Sequence, residues 1–362
     1  MNIWGIIWIE RNKMTDVLVI GGGIIGLSIA IALSQKGANV TIVERDICGR
    51  GATWAAAGML APEAERLEGD LLDFGIRSRE MYPQWIASLM RLSGQDCGYW
   101  CCGILAPVLE ESDRQLISEH PHYISREESL KRQSDLGKSI LGSLWLPEDG
   151  QVNNRKLAQA LLTAARLLSI KILEGTTVYQ IGRDRDRVTH LDTSAGKLQS
   201  DRYILATGAW TRSLLPLPIK PIKGQMLSVF DGDRKLQKVI FAQSCYIVPR
   251  QDGTIVIGAT VEDNGFSQGN TASGIAQLLN KSISVYPAIA DMPITETWWG
   301  FRPHAPNEVP LLGASDFKNL VLATGHYRNG ILFAPITAKL ITDFIVDGID
   351  DESIDLVAQV KT

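Results

Sequence analysis

The chain has 362 residues, of which 45% are hydrophobic and 21% are charged. At roughly 100–200 residues per domain this length predicts two domains, and the composition excludes disordered, collagen-like and membrane-spanning proteins. The 36 basic and 40 acidic residues give a formal net charge of −4, so no basic excess is present to neutralise phosphates and we expect no nucleic-acid partner.

An apolar stretch, residues 1–13, precedes the patterned sequence. It is shorter than the roughly 20 residues of a membrane span, and it lacks both the preceding positive charge and the small-residue cleavage site of a signal peptide. We interpret it as an N-terminal extension outside both domains and expect no membrane contact. Met14 begins the patterned sequence and is a candidate start of the protein.

A strand, a glycine turn, a helix and a second strand follow in that order. The run VLVI (17–20) is β-branched, GGGIIG (21–26) is the turn, and LSIAIALSQKG has apolar residues at helical spacing and ends at Gly37, a predicted C-cap. NVTIVE (39–44) is a second buried strand. This β-α-β order predicts a parallel sheet with a right-handed crossover.

The glycine turn has the spacing of a dinucleotide-binding site. Gly21, Gly23 and Gly26 fit G-x-G-x-x-G, in which the first glycine permits the turn, the second lets the backbone approach a pyrophosphate and the third allows close helix packing. The phosphates would meet unpaired N–H groups at the positive end of the helix dipole. Glu44 ends the second strand, where it could accept hydrogen bonds from a ribose. The alternative is an ordinary glycine turn with a capping acid, and the motif does not choose between NAD and FAD.

The segment RGATWAAAGMLAPE (50–63) favours FAD. Its small residues would let the backbone pass close to a flat ring system, and Arg45 and Arg50 could add positive charge near the pyrophosphate. Taken alone, the same segment could be a packed helix start.

Helical and strand patterns continue along the chain. RKLAQALLTAARLLS (155–169) predicts a helix, and alternating segments between 178 and 201 predict short antiparallel strands. RYILATGAW (202–210) is a buried strand ending in a glycine turn. Residues 219–300 predict a mostly antiparallel sheet interrupted by one helix, and residues 319–345 return to strand, glycine turn and helix, so the first domain is predicted to be discontinuous.

The number and spacing of the five cysteines and five histidines argue against a disulfide framework and against a metal site. An odd, sparse set of cysteines is typical of reduced thiols, and it predicts a cytoplasmic protein without a disulfide framework. Residues 97–102 hold three of the cysteines but lack C-x-x-C spacing, so we expect no metal site.

Several segments together resemble one known family. They are DVLVIGGGIIGLSIAIAL, TWAAAGMLAPE, RYILATGAW, PIKGQM, YIVPR, WWGFRPHAPNEVPLLG and LATGHYRNGILFAPITAKLI. They resemble the D-amino-acid oxidase group of FAD enzymes, and within it the glycine oxidases of thiamine biosynthesis. The resemblance covers nearly everything from 17 to 345, although residues 64–145 carry no motif. His304 and Asn307 stand where members of the group often carry other residues.

The resemblance implies an α/β fold in which a FAD-binding parallel sheet with a Rossmann-type βαβ start accompanies a mostly antiparallel substrate-binding domain. The implied FAD-binding domain is 14–90, 146–216 and 310–362, and the substrate-binding domain is 91–145 and 217–309. The implied cofactor-binding residues are Gly21, Gly23, Ile24, Ile25, Gly26, Glu44, Arg45, Thr53, Ala55, Ala56, Ala57, Gly58, Met59, Leu60, Val178, Ala206, Thr207, Gly208, Trp210, His326, Tyr327, Arg328, Asn329, Gly330 and Ile331. In this scheme residues 328–331 begin the last helix and face the flavin with their N–H groups.

Arg302 matches the carboxylate anchor of the group, and Tyr246 would place a phenol on the same carboxylate. A guanidinium fork binds a carboxylate bidentately, which suits an amino-acid oxidase. The alternatives are a structural ion pair for Arg302 and core packing for Tyr246. Arg328 either supports the carboxylate or orders the flavin loop, and His326 is better explained by a structural role than as a base.

The resemblance implies oxidative deamination of glycine through an imine, with O₂ reoxidising the flavin and releasing hydrogen peroxide. It further implies sarcosine and small D-amino acids as secondary substrates, supply of the imine to the thiazole ring of thiamine, and a homotetramer. The rival interpretations are a sarcosine oxidase, a D-amino-acid dehydrogenase that passes electrons to a membrane quinone, and a flavin-binding protein without catalysis.

Monomeric sarcosine oxidases attach their flavin through a cysteine in the C-terminal region, whereas the last cysteine here is Cys245. We therefore expect non-covalent FAD. Denaturing the yellow protein should release all of the chromophore into the supernatant, measured by flavin absorbance. Flavin that stays with the precipitated protein would contradict this prediction.

Overall fold

The structure, a computed structural model, describes residues 15–243 and 245–349. The prediction for residues 1–13 lies outside these residues. The strands are β1 (Asp16–Ile20), β2 (Asn39–Val43), β3 (Met59–Leu60), β4 (Ile104–Val108), β5 (Tyr123–Ser125), β6 (Gly142–Leu146), β7 (Gly150–Gln151), β8 (Lys171–Leu173), β9 (Val178–Asp184), β10 (Arg187–Thr193), β11 (Gly196–Leu198), β12 (Arg202–Leu205), β13 (Lys220–Phe230), β14 (Val239–Ala242), β15 (Cys245–Pro249), β16 (Thr254–Gly258), β17 (Ile294–His304), β18 (Leu311–Ala314) and β19 (Leu320–Thr324). The α-helices are α1 (Ile24–Gln35), α2 (Ala52–Ala55), α3 (Gly69–Ser93), α4 (Glu111–Ile117), α5 (Arg126–Arg132), α6 (Asn154–Leu167), α7 (Ala272–Val285) and α8 (Ala334–Val346), and short 3₁₀ helices lie at Gly208–Ser213, Pro287–Asp291 and Pro306–Glu308.

A six-stranded sheet in the order β18-β19-β12-β1-β2-β8 carries the glycine turn. All neighbouring pairs are parallel except β18 with β19, which confirms the predicted parallel sheet. Val19, Ile42 and Ile204 in its central strands are fully buried, as expected for a sheet covered on both faces. The register sets Ile20 beside Val43 and Leu205, so the carboxyl ends of three strands meet at one place.

Helix α1 begins at that place and is buried on almost all sides. It packs against α6 and α8, which explains a sequence with hardly any polar residues. Gly37 ends it with φ at +89°, and the N–H groups of Gly37 and Ala38 donate to the carbonyls of Ser34 and Leu33. This is a Schellman motif, and it confirms the predicted C-cap.

An eight-stranded sheet in the order β17-β13-β16-β15-β14-β4-β6-β5 lies over the first. Its pairs are antiparallel except β14 with β4, so the mostly antiparallel sheet is confirmed. The pairing of β13 with β17 sets Gly224 beside Gly300 and Ile222 beside Arg302. A Cβ on Gly300 would lie 2.3 Å from the Cβ of Ala55, so β17 packs directly on α2 and brings the two sheets together.

Residues 64–145, which carried no usable motif, form a long helix and three strands of the larger sheet. Helix α3 contacts the turn before α8: Ser78 Oγ donates to the Leu332 carbonyl at 2.6 Å, and the ring of Phe74 packs edge-on against Phe333. Tyr82 Oη donates to the Ile331 carbonyl. The predicted domain boundaries stay a prediction, which the membership of the two sheets supports.

Two further findings concern the helices. The last helix begins at Ala334, not at 328–331 as expected, because Pro335, which lacks an N–H, occupies its first turn and residues 330–333 form turns instead. None of the helices in the described part of the chain combines the length and the apolar run needed to cross a membrane.

Candidate active site

A cavity of about 600 Å³ opens at the carboxyl ends of β1, β2 and β12 and extends to the β13–β17 pair. Of the predicted site residues, those that line it are Gly21, Gly23, Ile24, Ile25, Glu44, Arg45, Thr53, Ala55, Ala56, Ala57, Gly58, Met59, Val178, Ala206, Thr207, Gly208, Trp210, Tyr246, Arg302, His326, Tyr327, Arg328, Asn329, Gly330 and Ile331. Gly26 and Leu60 do not line it. The structure therefore gathers residues from distant parts of the sequence around one cavity, whereas their individual roles remain predictions.

Close packing explains the first and third glycines of the turn. Gly21 has φ at +111°, and a Cβ there would lie 2.4 Å from the Ala206 carbonyl oxygen. A Cβ on Gly26 would lie 2.0 Å from the Gly21 oxygen, which places Gly26 against the turn and outside the cavity. Around Gly23 the nearest atom is Thr53 Oγ1 at 3.6 Å, so this glycine leaves open space in front of the helix.

The first turn of α1 offers hydrogen-bond donors to the cavity. Gly22 N–H donates to Glu44 Oε2 at 2.7 Å, and Ile24 N–H donates to Thr53 Oγ1 at 2.9 Å. Within the described residues, the N–H groups of Gly23 and Ile25 donate to no protein acceptor. Unpaired donors at a helix N-terminus fit a pyrophosphate, so this end of the cavity suits the phosphates of FAD.

Glu44 is held with its carboxylate at the cavity. Its Oε1 accepts a hydrogen bond from Asp46 N–H at 2.9 Å, and its other oxygen binds Gly22 N–H. A carboxylate has about four acceptor positions, so capacity remains for two ribose hydroxyls. Arg45, expected near the pyrophosphate, has its guanidinium stacked 3.7 Å from the centroid of Trp210.

Side chains behind the cavity hold the flavin-lining segment, which we define as residues 53–58. Asn154 Nδ2 donates to the carbonyls of Thr53 and Trp54 at 2.8 and 3.0 Å. Trp298 Nε1 donates to the Ala55 carbonyl at 3.1 Å. These bonds turn the carbonyls away from the cavity and leave a surface of small residues for a flat ring.

Arg302 lies at the opposite end of the cavity from the glycine turn. Its Nη1 donates to the Thr260 carbonyl at 3.2 Å, and its guanidinium lies over Gly224, whose Cβ would be 2.5 Å from the same nitrogen. No acidic side chain in the described residues forms an ion pair with it. The alternative of a structural ion pair therefore loses its support.

Tyr246 lies in the cavity beside Arg302. Its ring packs on Gly258, where a Cβ would lie 2.5 Å from the ring, and its Oη is 3.7 Å from Met226 Sδ. Burial raises the pKa of Tyr246 above its ordinary value, and the positive charge of Arg302 opposes this shift only in part. The phenol is therefore a neutral hydrogen-bond donor at the carboxylate end.

Glu65 is a site residue that the sequence did not reveal. It lines the cavity, and burial raises its pKa, while the charges of Arg328 and Arg302 lower it. It lies just beyond the flavin-lining segment, in the part of the chain without a motif. Only its nearness to TWAAAGMLAPE could have suggested it.

His326 is buried among packed residues. Its Nε2 lies 3.1 Å from Thr337 Oγ1, and burial lowers the pKa of His326 to about 3. The ring is therefore neutral at physiological pH and a poor proton acceptor, in agreement with a structural role. Tyr327 N–H donates to the Pro303 carbonyl at 2.9 Å, which ties this turn to the end of β17.

Residues 16–344 match a family described as FAD dependent oxidoreductases. The chain belongs to this family. This membership confirms the predicted enzyme class and FAD as the cofactor, and the donors along the cavity fit that cofactor.

Named relatives make the similarity more specific. The chain is 47% identical over 344 residues to a bifunctional protein ThiO/ThiG of Trichormus variabilis, an alignment that covers 92% of this chain and 53% of that protein. It therefore spans about half the length of such relatives. It is 33% identical to a glycine oxidase of Bacillus licheniformis, covering 92% of this chain and 94% of that one. A crystal structure of glycine oxidase from Bacillus cereus superposes with a TM-score of 0.89 at 29% identity, covering 96% of this chain and 99% of that one, which confirms the fold class.

The bonds at Glu44 predict that Glu44→Ala weakens FAD binding. Loss of charge-assisted hydrogen bonds to a ribose should cost roughly 1.5–3 kcal/mol, which is about 10–150-fold in affinity. Titration of apoprotein with FAD, followed by flavin fluorescence, measures the change. The control is Glu119→Ala at an exposed glutamate outside the cavity. Equal FAD affinities in the two variants would contradict the prediction that Glu44 binds the ribose of FAD.

The buried carboxyl of Glu65 predicts a pH-dependent loss of stability. Because burial raises its pKa in the folded state, the stability contributed by the protonated form is present below the ordinary glutamate pKa and is lost as pH rises through the folded-state value. Glu65→Gln should therefore raise the thermal midpoint of the holoenzyme more at about pH 8 than at about pH 4. Circular dichroism melts of this variant and of Glu119→Gln provide the comparison, and a pH-independent difference would contradict the prediction.

Proposed function

We propose that the protein catalyses FAD-dependent oxidative deamination of glycine, with sarcosine and small D-amino acids as further substrates. The observation that carries this proposal is the guanidinium of Arg302, which lines the cavity and forms no ion pair with any acidic side chain that the structure describes. The names of the relatives, glycine oxidase among them, support the same substrate class.

The carboxylate of the substrate binds Arg302 and Tyr246. A guanidinium with parallel N–H donors fixes both oxygens, and the neutral phenol adds a third donor. The bond from Nη1 to the Thr260 carbonyl keeps the guanidinium in place before the substrate arrives. This arrangement orients the α-carbon and leaves the amino group free of a protein cation.

Large side chains surround the carboxylate site and favour a small substrate. Tyr246 and Met226 line the cavity together with Arg302, and Tyr246 Oη lies 3.7 Å from Met226 Sδ. Glycine, sarcosine and D-alanine keep the α-substituent to a hydrogen or a methyl group, which suits so restricted a space. Glu65 adds a carboxyl there, close to the two arginines.

FAD held between the glycine turn and the flavin-lining segment would supply the hydride acceptor for the α-carbon, and its reoxidation by O₂ would yield hydrogen peroxide. The reacting amine must be neutral, since a positive charge opposes hydride loss, and the chain needs no base to complete the step. His326 is neutral and bound to Thr337, so it takes no proton. The imine product hydrolyses to glyoxylate and ammonia.

An aromatic cluster covers one side of the cavity. The ring of Trp210 stacks on Phe266 with centroids 5.2 Å apart, and Phe301 packs edge-on against Phe266 at 5.1 Å. Trp210 and Phe301 line the cavity. These rings exclude water from that side, which strengthens the electrostatic interactions of a bound substrate.

The proposal also includes the biosynthetic role, the cellular location and the oligomeric state of the protein. The imine is supplied for thiazole formation in thiamine biosynthesis, and the name of the bifunctional ThiO/ThiG relatives supports this assignment. We further propose a cytoplasmic protein, in keeping with its free cysteines, and a homotetramer, which rests on the family resemblance alone.

A substrate panel tests the proposed function. The purified yellow protein is mixed in air with glycine, sarcosine, D-alanine and L-alanine, and peroxide is measured. Glycine should give peroxide and L-alanine should not. Flavin bleaching by glycine without oxygen uptake would indicate a dehydrogenase, a strong preference for sarcosine would indicate a sarcosine oxidase, and an unbleached flavin would indicate a protein without this activity.

Arg302→Lys should cripple turnover although the positive charge is kept. An ammonium is a point charge that cannot match both carboxylate oxygens, so the apparent KM for glycine should rise at least about tenfold, or roughly 1.4 kcal/mol. FAD content should stay unchanged, and small carboxylates such as glycolate should no longer perturb the flavin spectrum. The control is Arg212→Lys, an exposed arginine outside the cavity. Wild-type KM and glycolate binding in Arg302→Lys would place the anchor elsewhere, with Arg328 next to be tested.

A further inference from the structure

A buried arginine that the proposed reaction does not use lies directly behind the flavin-lining segment. Arg250 follows β15 and is only 7% exposed. Its Nη2 donates to the Ala57 carbonyl at 2.7 Å and to Asn154 Oδ1 at 3.0 Å. Its Nη1 donates to the Val152 carbonyl at 3.1 Å and to Gln151 Oε1.

All four of these acceptors are neutral. No carboxylate in the described residues forms an ion pair with Arg250, so its positive charge is buried among neutral acceptors, and Asp252 attracts it only at longer range. Burial lowers the pKa of Arg250 to about 10, which still leaves it protonated at physiological pH. Burying an unpaired charge is costly, and an apolar side chain would fill the space without that cost.

The Ala57 carbonyl belongs to the peptide group that joins Ala57 to Gly58. In a trans peptide the N–H points away from the C=O, so the Gly58 N–H lies on the opposite side from Arg250. Within the described residues this N–H donates to no protein acceptor, and both residues line the cavity. Gly58 has φ at +73°, and a Cβ there would lie 2.1 Å from the Val152 carbonyl oxygen, so this peptide orientation requires glycine.

A charge-assisted hydrogen bond to a carbonyl polarises the peptide and strengthens its N–H as a donor. The polarised Ala57–Gly58 peptide therefore extends the electrostatic effect of Arg250 to a ligand in the cavity, through the partial positive charge on the Gly58 N–H. Trp298, which holds the neighbouring Ala55 carbonyl, provides a neutral donor to the same segment and thus a matched comparison.

We propose that Arg250 is a positioning residue for the flavin: it fixes the Ala57–Gly58 peptide so that the Gly58 N–H faces the cavity, and its buried positive charge stabilises the negatively charged reduced cofactor. The proposal rests on FAD occupying the cavity and not on the identity of the substrate. It predicts a change in the electronic properties of the bound flavin, which a residue that merely supports the fold would leave unaltered.

Sulfite binding tests this on the holoenzyme without any amino-acid substrate. Sulfite adds to oxidised flavin and leaves a negative charge on the ring, so its dissociation constant reports the positive field at the flavin. Arg250→Met should weaken sulfite binding at least about tenfold and lower the flavin reduction potential, because the buried positive charge is lost. Should Arg250→Met fail to retain FAD, Arg250→Gln, which keeps a donor but no charge, is measured in its place with the same expectation.

Trp298→Phe is the matched control, because it removes a neutral hydrogen bond from the same segment. Its sulfite affinity should remain within about threefold of wild type. If Trp298→Phe and Arg250→Met weaken sulfite binding equally, the effect comes from loss of structural order in the flavin-lining segment. That result would overturn the role of the charge. Unchanged sulfite binding and potential in the neutral Arg250 variants would overturn the proposal outright, whatever the outcome of the substrate panel.

Discussion

The contact between the glycine turn and the end of β12 is the constraint on which the site depends. A Cβ on Gly21 would lie 2.4 Å from the Ala206 carbonyl oxygen, and one on Gly26 would lie 2.0 Å from Gly21. Only because both positions lack side chains can α1 begin at the ends of the strands, with its unpaired N–H groups facing the cavity. Any side chain there would push the helix away, and the donors for the phosphates would be lost with it.

In the rest of the cavity, the directions of the backbone carbonyls and N–H groups and the positions of the arginines decide what the site can bind. Behind the flavin-lining segment, Asn154, Trp298 and Arg250 each bind carbonyls, so the segment presents small side chains and the Gly58 N–H to the cavity. At the far end Arg302 donates to the Thr260 carbonyl and forms no ion pair with an acidic side chain in the described part of the chain. FAD and the amino acid of the proposed reaction both bring negative charge, and the donors that would meet them are fixed before binding, which reduces the reorganisation needed on binding.

Helix α3 shows how a region without a motif contributes to the site. Its Ser78 and Tyr82 hydroxyls bind the carbonyls of Leu332 and Ile331, in the turn that lines the cavity before α8. Nothing in its sequence indicates that role, because an amphipathic helix carries the same pattern whatever it packs against. The same helix follows the loop that brings Glu65 to the two arginines.

The local sequence pattern determined much of the secondary structure of this protein. The periodicity and glycine spacing of residues 16–43 fix a strand, a tight turn and a helix through interactions between neighbours, and the alternation of residues 219–260 fixes antiparallel strands in the same way. Helix α8 begins at Ala334 and not at 328–331, because Pro335 lies in its first turn and the preceding turns are bonded to α3. Only tertiary structure decided that Arg302 forms no ion pair among the described residues, that Glu65 enters the cavity, and that Arg250 binds a carbonyl 193 residues earlier in the chain. The reason is physical: a pattern reports which residues are buried, whereas a hydrogen bond across such a separation depends on how the two sheets pack against each other.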